Sequence, residues 1–129
     1  MKTLTASLED YLEIICNYAT SKKKVRAIDI SKELNISRAS VSEALKKLTT
    51  KGYINHERYD SITLTSLGLN TAQKIISKHL ILKKFFEKTL GLSKEEANLN
   101  ACKIEHVITD NAFLKISEYL DKQGEQWIS

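Results

Sequence analysis

Ala27-Ile28-Asp29-Ile30-Ser31-Lys32-Glu33-Leu34-Asn35-Ile36-Ser37-Arg38-Ala39-Ser40-Val41-Ser42-Glu43-Ala44-Leu45-Lys46-Lys47-Leu48 is the stretch from which the fold can be read. Residues 27–34 have the apolar spacing of a short helix. Asn35 follows, a residue that tolerates the left-handed backbone of a tight turn. Ser37 is placed to cap a second helix running to about Thr50, with Val41, Ala44, Leu45 and Leu48 as its inward stripe and Gly52 as its stop. Helix, short turn, helix is the helix-turn-helix arrangement.

Moving outward, the period changes at 53–64. Tyr53 and Ile54, then Ile62 and Leu64, flank a polar tip from His56 to Ser61, which predicts a β-hairpin, the wing of a winged helix. Upstream, Leu8, Tyr11, Leu12, Ile15 and Tyr18 recur at helical spacing over 6–20, with Ser7 and Asp10 as a cap pair. Ser21-Lys22-Lys23-Lys24 reads as a loop. Downstream, Thr65 can cap a long helix to about Leu90, ended by Gly91. Ser93 with Glu96 opens another, to about Thr109, and a last helix is expected from Asn111 to Lys122.

These elements predict a mainly α protein. An N-terminal winged helix-turn-helix with a small β-hairpin wing occupies 1–65, and a helical unit follows over 66–129. With 129 residues and no proline, long helices with few breaks are expected. No apolar run approaches the roughly 18 residues of a membrane span. The N-terminus turns acidic too soon for a signal peptide. Two distant cysteines make no disulfide framework, so a cytoplasmic location is expected.

Charge divides the chain. Residues 20–58 carry ten Lys/Arg against four Asp/Glu, whereas 91–129 carry four against seven. A basic half around a helix-turn-helix suits DNA, since phosphate contacts supply most of the affinity. The second helix of the pair would enter the major groove, and its outward residues are Ser37, Arg38, Ala39, Ser40, Ser42 and Glu43. Arg38 can read guanine or hold a phosphate. Lys46, Lys47, Lys51 and Arg58, with Lys22, Lys23 and Lys24, are candidate phosphate contacts. For any one lysine the plain alternative is a solvated surface. For the whole module it is protein–protein contact.

The acidic half holds Cys102, Glu105 and His106 at i, i+3 and i+4, within about 100° of one helix face. All three residue types bind transition metals. Each alone has a plain reading: a small buried cysteine, a solvated glutamate, a surface or core histidine. Asp10 and Glu13 lie at i and i+3 on the first helix. His79 shares a stripe with Ala72, Ile75, Ile76 and Phe86, so its ring should point inward and need a partner. Were Asp10, Glu13, His79, Cys102, Glu105 and His106 brought together, the carboxylates among them would repel one another when the site is empty. A divalent cation would remove that repulsion and order the first helix against the C-terminal unit. The spacing is not that of a structural zinc site, and there is no His-Glu-x-x-His or Gly-x-Ser-x-Gly to support an enzyme.

With these residues in view, the chain resembles the diphtheria toxin repressor family, in the short branch that includes the manganese transport regulators. The resemblance runs from Ser7-Leu8-Glu9-Asp10-Tyr11-Leu12-Glu13, through Leu64-Thr65-Ser66-Leu67-Gly68 at the wing-to-helix junction, to Cys102-Lys103-Ile104-Glu105-His106. It implies a homodimeric repressor that binds palindromic operator DNA when loaded with Fe(II) or Mn(II), with metal-uptake genes as targets. Asp10 and Glu13 match the first-helix carboxylates of the manganese branch, where the iron branch has methionine at the first. His79 matches the histidine of the long dimerisation helix. Glu105 and His106 match the pair common to both branches. Cys102 matches the iron branch, where the manganese branch has glutamate, so the implied site is a hybrid.

Lys83 and Asn98 stand where the iron branch has its ancillary-site glutamate and second histidine, so that ancillary site is expected to be absent. Cys102 in place of a bridging carboxylate argues against a two-metal cluster. The SH3-like third domain of longer members is expected to be absent. A thiolate favours Fe(II), Co(II) or Zn(II), and Asp10 favours harder ions, so Fe(II) is expected with Mn(II) close behind. Zn(II) or Co(II) would bind in vitro. The alternatives are a winged-helix regulator sensing a small organic ligand, a constitutive DNA binder, and a small metalloenzyme.

Overall fold

The computed structural model describes residues 5–57 and 61–127. Among these the chain forms α1 (Ala6–Thr20), α2 (Ala27–Leu34), α3 (Arg38–Thr50), β1 (Ile54–Glu57), β2 (Ser61–Leu64), α4 (Ser66–Lys88), α5 (Lys94–Ile104) and α6 (Asp110–Trp127). The architecture is mainly α with one small antiparallel hairpin, as the sequence implied. Two compact units meet in sequence at Lys74 and Ile75, within α4. No helix among the described residues is long and apolar enough to cross a membrane.

In the first unit, α2 begins where the Asp29 carboxylate accepts the Arg26 backbone N–H at 2.9 Å. The Arg26 guanidinium approaches the same carboxylate at 3.4 Å, and this hydrogen-bonded partner holds the acid below its ordinary pKa. Asn35 takes the left-handed conformation at φ 54° and ends the helix. Ser31 Oγ donates to the Ile36 carbonyl at 2.6 Å and closes the turn. Ser37 Oγ then accepts the Ser40 N–H at 3.1 Å and starts α3. The expected stripe of Val41, Ala44, Leu45 and Leu48 is buried. With α1 packed on α3 and β2, the stripe joins Leu12, Ile15, Ile30 and Ile54 in one core. Each such side chain contributes about 1.5–3 kcal/mol by leaving water.

The hairpin pairs Ile54 with Leu64, Asn55 with Thr63, His56 with Ile62 and Glu57 with Ser61. The strands therefore reach further into the polar stretch than expected, because backbone pairing does not depend on side-chain polarity. Behind the hairpin the chain is tied tightly. Thr65 N donates to the Tyr53 carbonyl at 3.1 Å, and Thr65 Oγ1 donates to the Gly52 carbonyl at 2.6 Å. Thr65 Oγ1 also accepts the Gly68 N–H at 3.0 Å, capping α4 as expected. Gly68 lies so near Tyr53 that a Cβ there would stand 1.9 Å from the Tyr53 carbonyl oxygen.

Five helix ends differ from expectation. Thr5, not Ser7, caps α1: its Oγ1 accepts the Leu8 N–H at 3.3 Å, and Ser7 and Asp10 lie inside the helix. α4 stops at Lys88 instead of Leu90, with Gly91 at φ 72°. α5 ends at Ile104, about one turn early, because Thr109 caps the next helix and its Oγ1 accepts the Ala112 N–H at 3.2 Å. α6 therefore starts at Asp110, and it continues to Trp127.

Two measurements check this account. Gly68→Ala should lower the unfolding free energy by about 1–3 kcal/mol or more in urea melts, because backbone must move to admit a methyl group. Asp29→Ala should cost about 0.5–2 kcal/mol at neutral pH, the range for a lost helix cap. A folded-state pKa held low means that the parent has this stabilisation in full above the usual aspartate range, near pH 4, and loses it as pH falls through the depressed value. The gap between parent and variant should therefore close in acid.

Candidate functional site

The second unit sets its polar cluster on helix faces that are otherwise apolar. On α4, Ile75 and Leu82 are buried, and His79 stands between them at i+4 and i−3, so helical geometry turns its ring the same way. On α5 the stripe is Ala97, Ala101 and Glu105, each four residues apart. The first two are fully buried, and Glu105 follows them inward to 2% exposure. A carboxylate taken out of water needs compensation from hydrogen bonds or opposite charge. Glu105 Oε1 lies 2.6 Å from His79 Nδ1, and Oε2 lies 3.4 Å from His106 Nε2. One buried carboxylate is thus shared between two imidazoles from different parts of the chain.

The other nitrogen of His79 is also held. Its Nε2 lies 2.8 Å from Asn98 Oδ1, across 19 residues of sequence. Asn98 is one turn before Cys102 on α5. Cys102 is exposed, whereas Cys16 is the buried cysteine of the chain, so the small-hydrophobe reading belongs to Cys16 alone. His79, Cys102 and Glu105 each offer a ligand atom, and these atoms lie within 4.8 Å of one another. Two donors on opposite sides of one ion stand up to about 4.6 Å apart, twice a metal–sulfur bond, so the spacing fits a single cation with modest adjustment. Nitrogen, sulfur and oxygen together form an intermediate-softness set suited to a first-row divalent metal.

The expected single helical face for Cys102, Glu105 and His106 needs amendment. Glu105 is the C-cap of α5, with its N–H still bonded to the Ala101 carbonyl, and His106 lies in the turn beyond. The imidazole nonetheless reaches Glu105. Lys83 pairs with Glu87 on its own helix at 3.9 Å. Sequence reasoning registered Asn98 only as a replaced ligand and missed it as a partner of His79. A helical interval of four from Asn98 to Cys102 was the available signal.

In the first unit, Asp10 and Glu13 are half-buried on α1. Asp10 lines a groove of about 1030 Å³ together with Leu8, Tyr11, Ile36, Ala44 and Lys47 among others. Burial raises the Tyr11 phenol pKa, so that group stays neutral. On α3, Arg38, Ala39, Ser40, Ser42, Glu43, Lys46 and Lys47 are exposed together with the cap Ser37. The helix thus offers a continuous polar face opposite its buried stripe. Lys22, Lys23, Lys24 and Lys51 are exposed as well. Arg58 lies outside the described residues.

Comparison with known proteins matches the chain in two segments, which meet ahead of the break between the compact units at Lys74 and Ile75. Residues 3–62 match the family described as iron dependent repressor, N-terminal DNA binding domain. Residues 65–125 match iron dependent repressor, metal binding and dimerisation domain. An uncharacterised HTH-type transcriptional regulator of Methanocaldococcus jannaschii is 36% identical over 120 residues, covering 92% of this chain and 96% of that protein. The HTH-type transcriptional regulator MntR of Oceanobacillus iheyensis is 31% identical over 117 residues, covering 91% and 79%. A solved manganese-dependent transcriptional repressor in complex with manganese superposes with a TM-score of 0.78 at 26% identity, covering 88% of this chain. The chain spans about half, 52%, of that protein.

Proposed function

The chain belongs to the iron dependent repressor family, and from that premise we propose that it is a homodimeric repressor of metal-uptake genes, binding palindromic operators when loaded with Fe(II) or Mn(II). It is a metal-dependent transcriptional repressor with a divalent cation as corepressor. The observation that carries the reading is the cluster of His79, Cys102 and Glu105, with His106 on the second oxygen of Glu105. The bound cation would supply positive charge to a buried carboxylate and fix its ligands in place. His79, Cys102, Glu105 and His106 are the ligands we assign on the second unit. Asp10 and Glu13 are assigned on the sequence resemblance alone.

The same reading gives residues 1–65 to DNA and 66–129 to metal sensing and dimerisation, in the cytoplasm, where the Cys102 thiol stays reduced. Dimerisation is supported by Leu80, Leu90, Leu99, Val107, Leu114 and Tyr119, large apolar side chains that are exposed on the second unit. The exposed face of α3 would meet the major groove, with Arg38 among the base-reading candidates and Lys46 and Lys47 on phosphates. Arg58 is kept as a phosphate contact from sequence. A thiolate beside two imidazoles leans toward Fe(II), and the relatives named for manganese keep Mn(II) close behind. Zn(II) and Co(II) would bind in vitro by the general affinity order of divalent metals.

Operator binding measured anaerobically with chelator, Fe(II), Mn(II) and Zn(II) in parallel should require metal. Glu105→Ala and His106→Ala should fold yet bind DNA equally with metal or chelator. Strong parental binding in chelator would reject the corepressor role. Cys102→Glu, by replacing sulfur with oxygen, should move the response toward Mn(II) by at least about tenfold relative to Fe(II), and an unchanged ratio would remove the thiol from metal selection.

A further inference from the structure

We propose that Asn98 is a positioning residue for the metal site: its side-chain carbonyl holds the Nε2–H of His79, so that Nδ1 is the one ring nitrogen His79 presents to a cation. The inference rests on the assignment of His79 as a ligand. It goes beyond that assignment in naming the tautomer, the donor atom and the residue that fixes both.

The geometry is specific. Nδ1 lies 2.6 Å from Glu105 Oε1, and Glu105 and Cys102 are the residues that share the metal-ligating cluster with His79. Nε2 points the other way, 2.8 Å from Asn98 Oδ1. A carbonyl oxygen only accepts, as does the carboxylate facing Nδ1, so when a cation takes the place of the hydrogen at Nδ1 the one hydrogen left on the ring is the Nε2–H that Asn98 accepts. An imidazole with Nε2–H fixed has its lone pair at Nδ1 once that nitrogen is unprotonated, and metal ligands bind in the unprotonated form. The same contact seals Nε2 from any second cation. Asn98 is therefore more than an absent ligand: it makes His79 a one-sided donor.

The arrangement also restrains the ring. His79 has 13% of its side chain exposed, and it is gripped at both nitrogens by α5, at Asn98 one turn before Cys102 and at Glu105 at its end. Partners of this kind on a ligand histidine typically change metal affinity by about 10–100-fold. Asn98 itself is exposed on a helix, so replacing it by alanine removes the contact without opening a core cavity.

The test uses the full chain with Asn98→Ala and Asn98→Asp. Long-range proton–nitrogen NMR of the Zn(II)-loaded, ¹⁵N-histidine-labelled protein reads the tautomer, and titration with Mn(II) reads the dissociation constant. The parent should show His79 as the Nε2–H form. Asn98→Ala should lose that single form and bind Mn(II) about 10–100-fold more weakly. Asn98→Asp, which keeps an oxygen acceptor in place, should restore the tautomer and most of the affinity. An Nδ1–H form in the parent, or a change in only one of the two readouts in Asn98→Ala, overturns the proposal and leaves the metal site standing. If the parent binds neither cation, or His79→Ala binds both as the parent does, the assignment beneath it falls too.

Discussion

A carboxylate with 2% of its surface in contact with solvent has to be answered by its neighbours, and in this chain Glu105 imposes that demand on the whole second unit. The effective cost of burying an ion is several kcal/mol, and attraction repays it only with good geometry. Two imidazoles approach it, from α4 and from the turn after α5, at 2.6 and 3.4 Å. The requirement explains features that are otherwise arbitrary. α5 carries alanine at 97 and 101, small enough for Glu105 to follow them inward. The helix stops at Ile104, which lets His106 leave the helical path and meet the second carboxylate oxygen. A buried pair of this kind is weak evidence for stability and stronger evidence for a site, since apolar residues of the same volume would often serve stability as well.

The first unit depends on a close backbone approach. The Tyr53 carbonyl accepts the Thr65 N–H, and Gly68 crosses beside the same carbonyl, where no side chain fits. Thr65 serves three partners there, as backbone donor, hydroxyl donor to Gly52 and cap for α4. The closing strand of the hairpin and the first turn of the long helix are thereby fixed to Gly52 and Tyr53, just beyond the end of α3. Since α3 is the helix with the exposed polar face, its C-terminal end is anchored at the point where the wing begins and ends.

The sequence was most readable where one periodic signal stood alone. The stripe of α3, the left-handed Asn35 and the caps at Ser37, Thr65 and Ser93 follow from local chemistry, and the structure has them where that chemistry puts them. Errors arose where two signals overlapped. Thr5 and Ser7 can each cap, and the choice fell to Thr5 because the helix already includes Ser7. Thr109 suits the end of α5, yet a threonine before Asp110 is equally a start, and its capping of α6 leaves α5 a turn shorter than its periodicity suggests. The types of the site residues were legible. The partner of His79 was not, because Asn98 lies 19 residues away and only the packing of α5 on α4 brings the amide to the ring.

Thermodynamics limits what such a cluster can do. A cation shifts a conformational equilibrium only by the difference in its affinity for the two states, and moving a population from 1:99 to 99:1 needs about 10⁴-fold, near 5.5 kcal/mol. His79, Cys102, Glu105 and His106 all belong to one unit. A metal held by these four alone would stabilise that unit, by about 2.7 kcal/mol at a hundred times its dissociation constant, whatever the state of the helix-turn-helix. Such binding would be tight without being regulatory. A corepressor therefore needs at least one contribution to affinity that exists in the DNA-competent state and is missing otherwise. The proposed donors Asp10 and Glu13 would meet that requirement, since they belong to the unit that carries α3. On the proposed ligand set, the residues that would make the metal bind and those that would make it signal are different sets, the first in α4, α5 and the turn after α5, the second in α1.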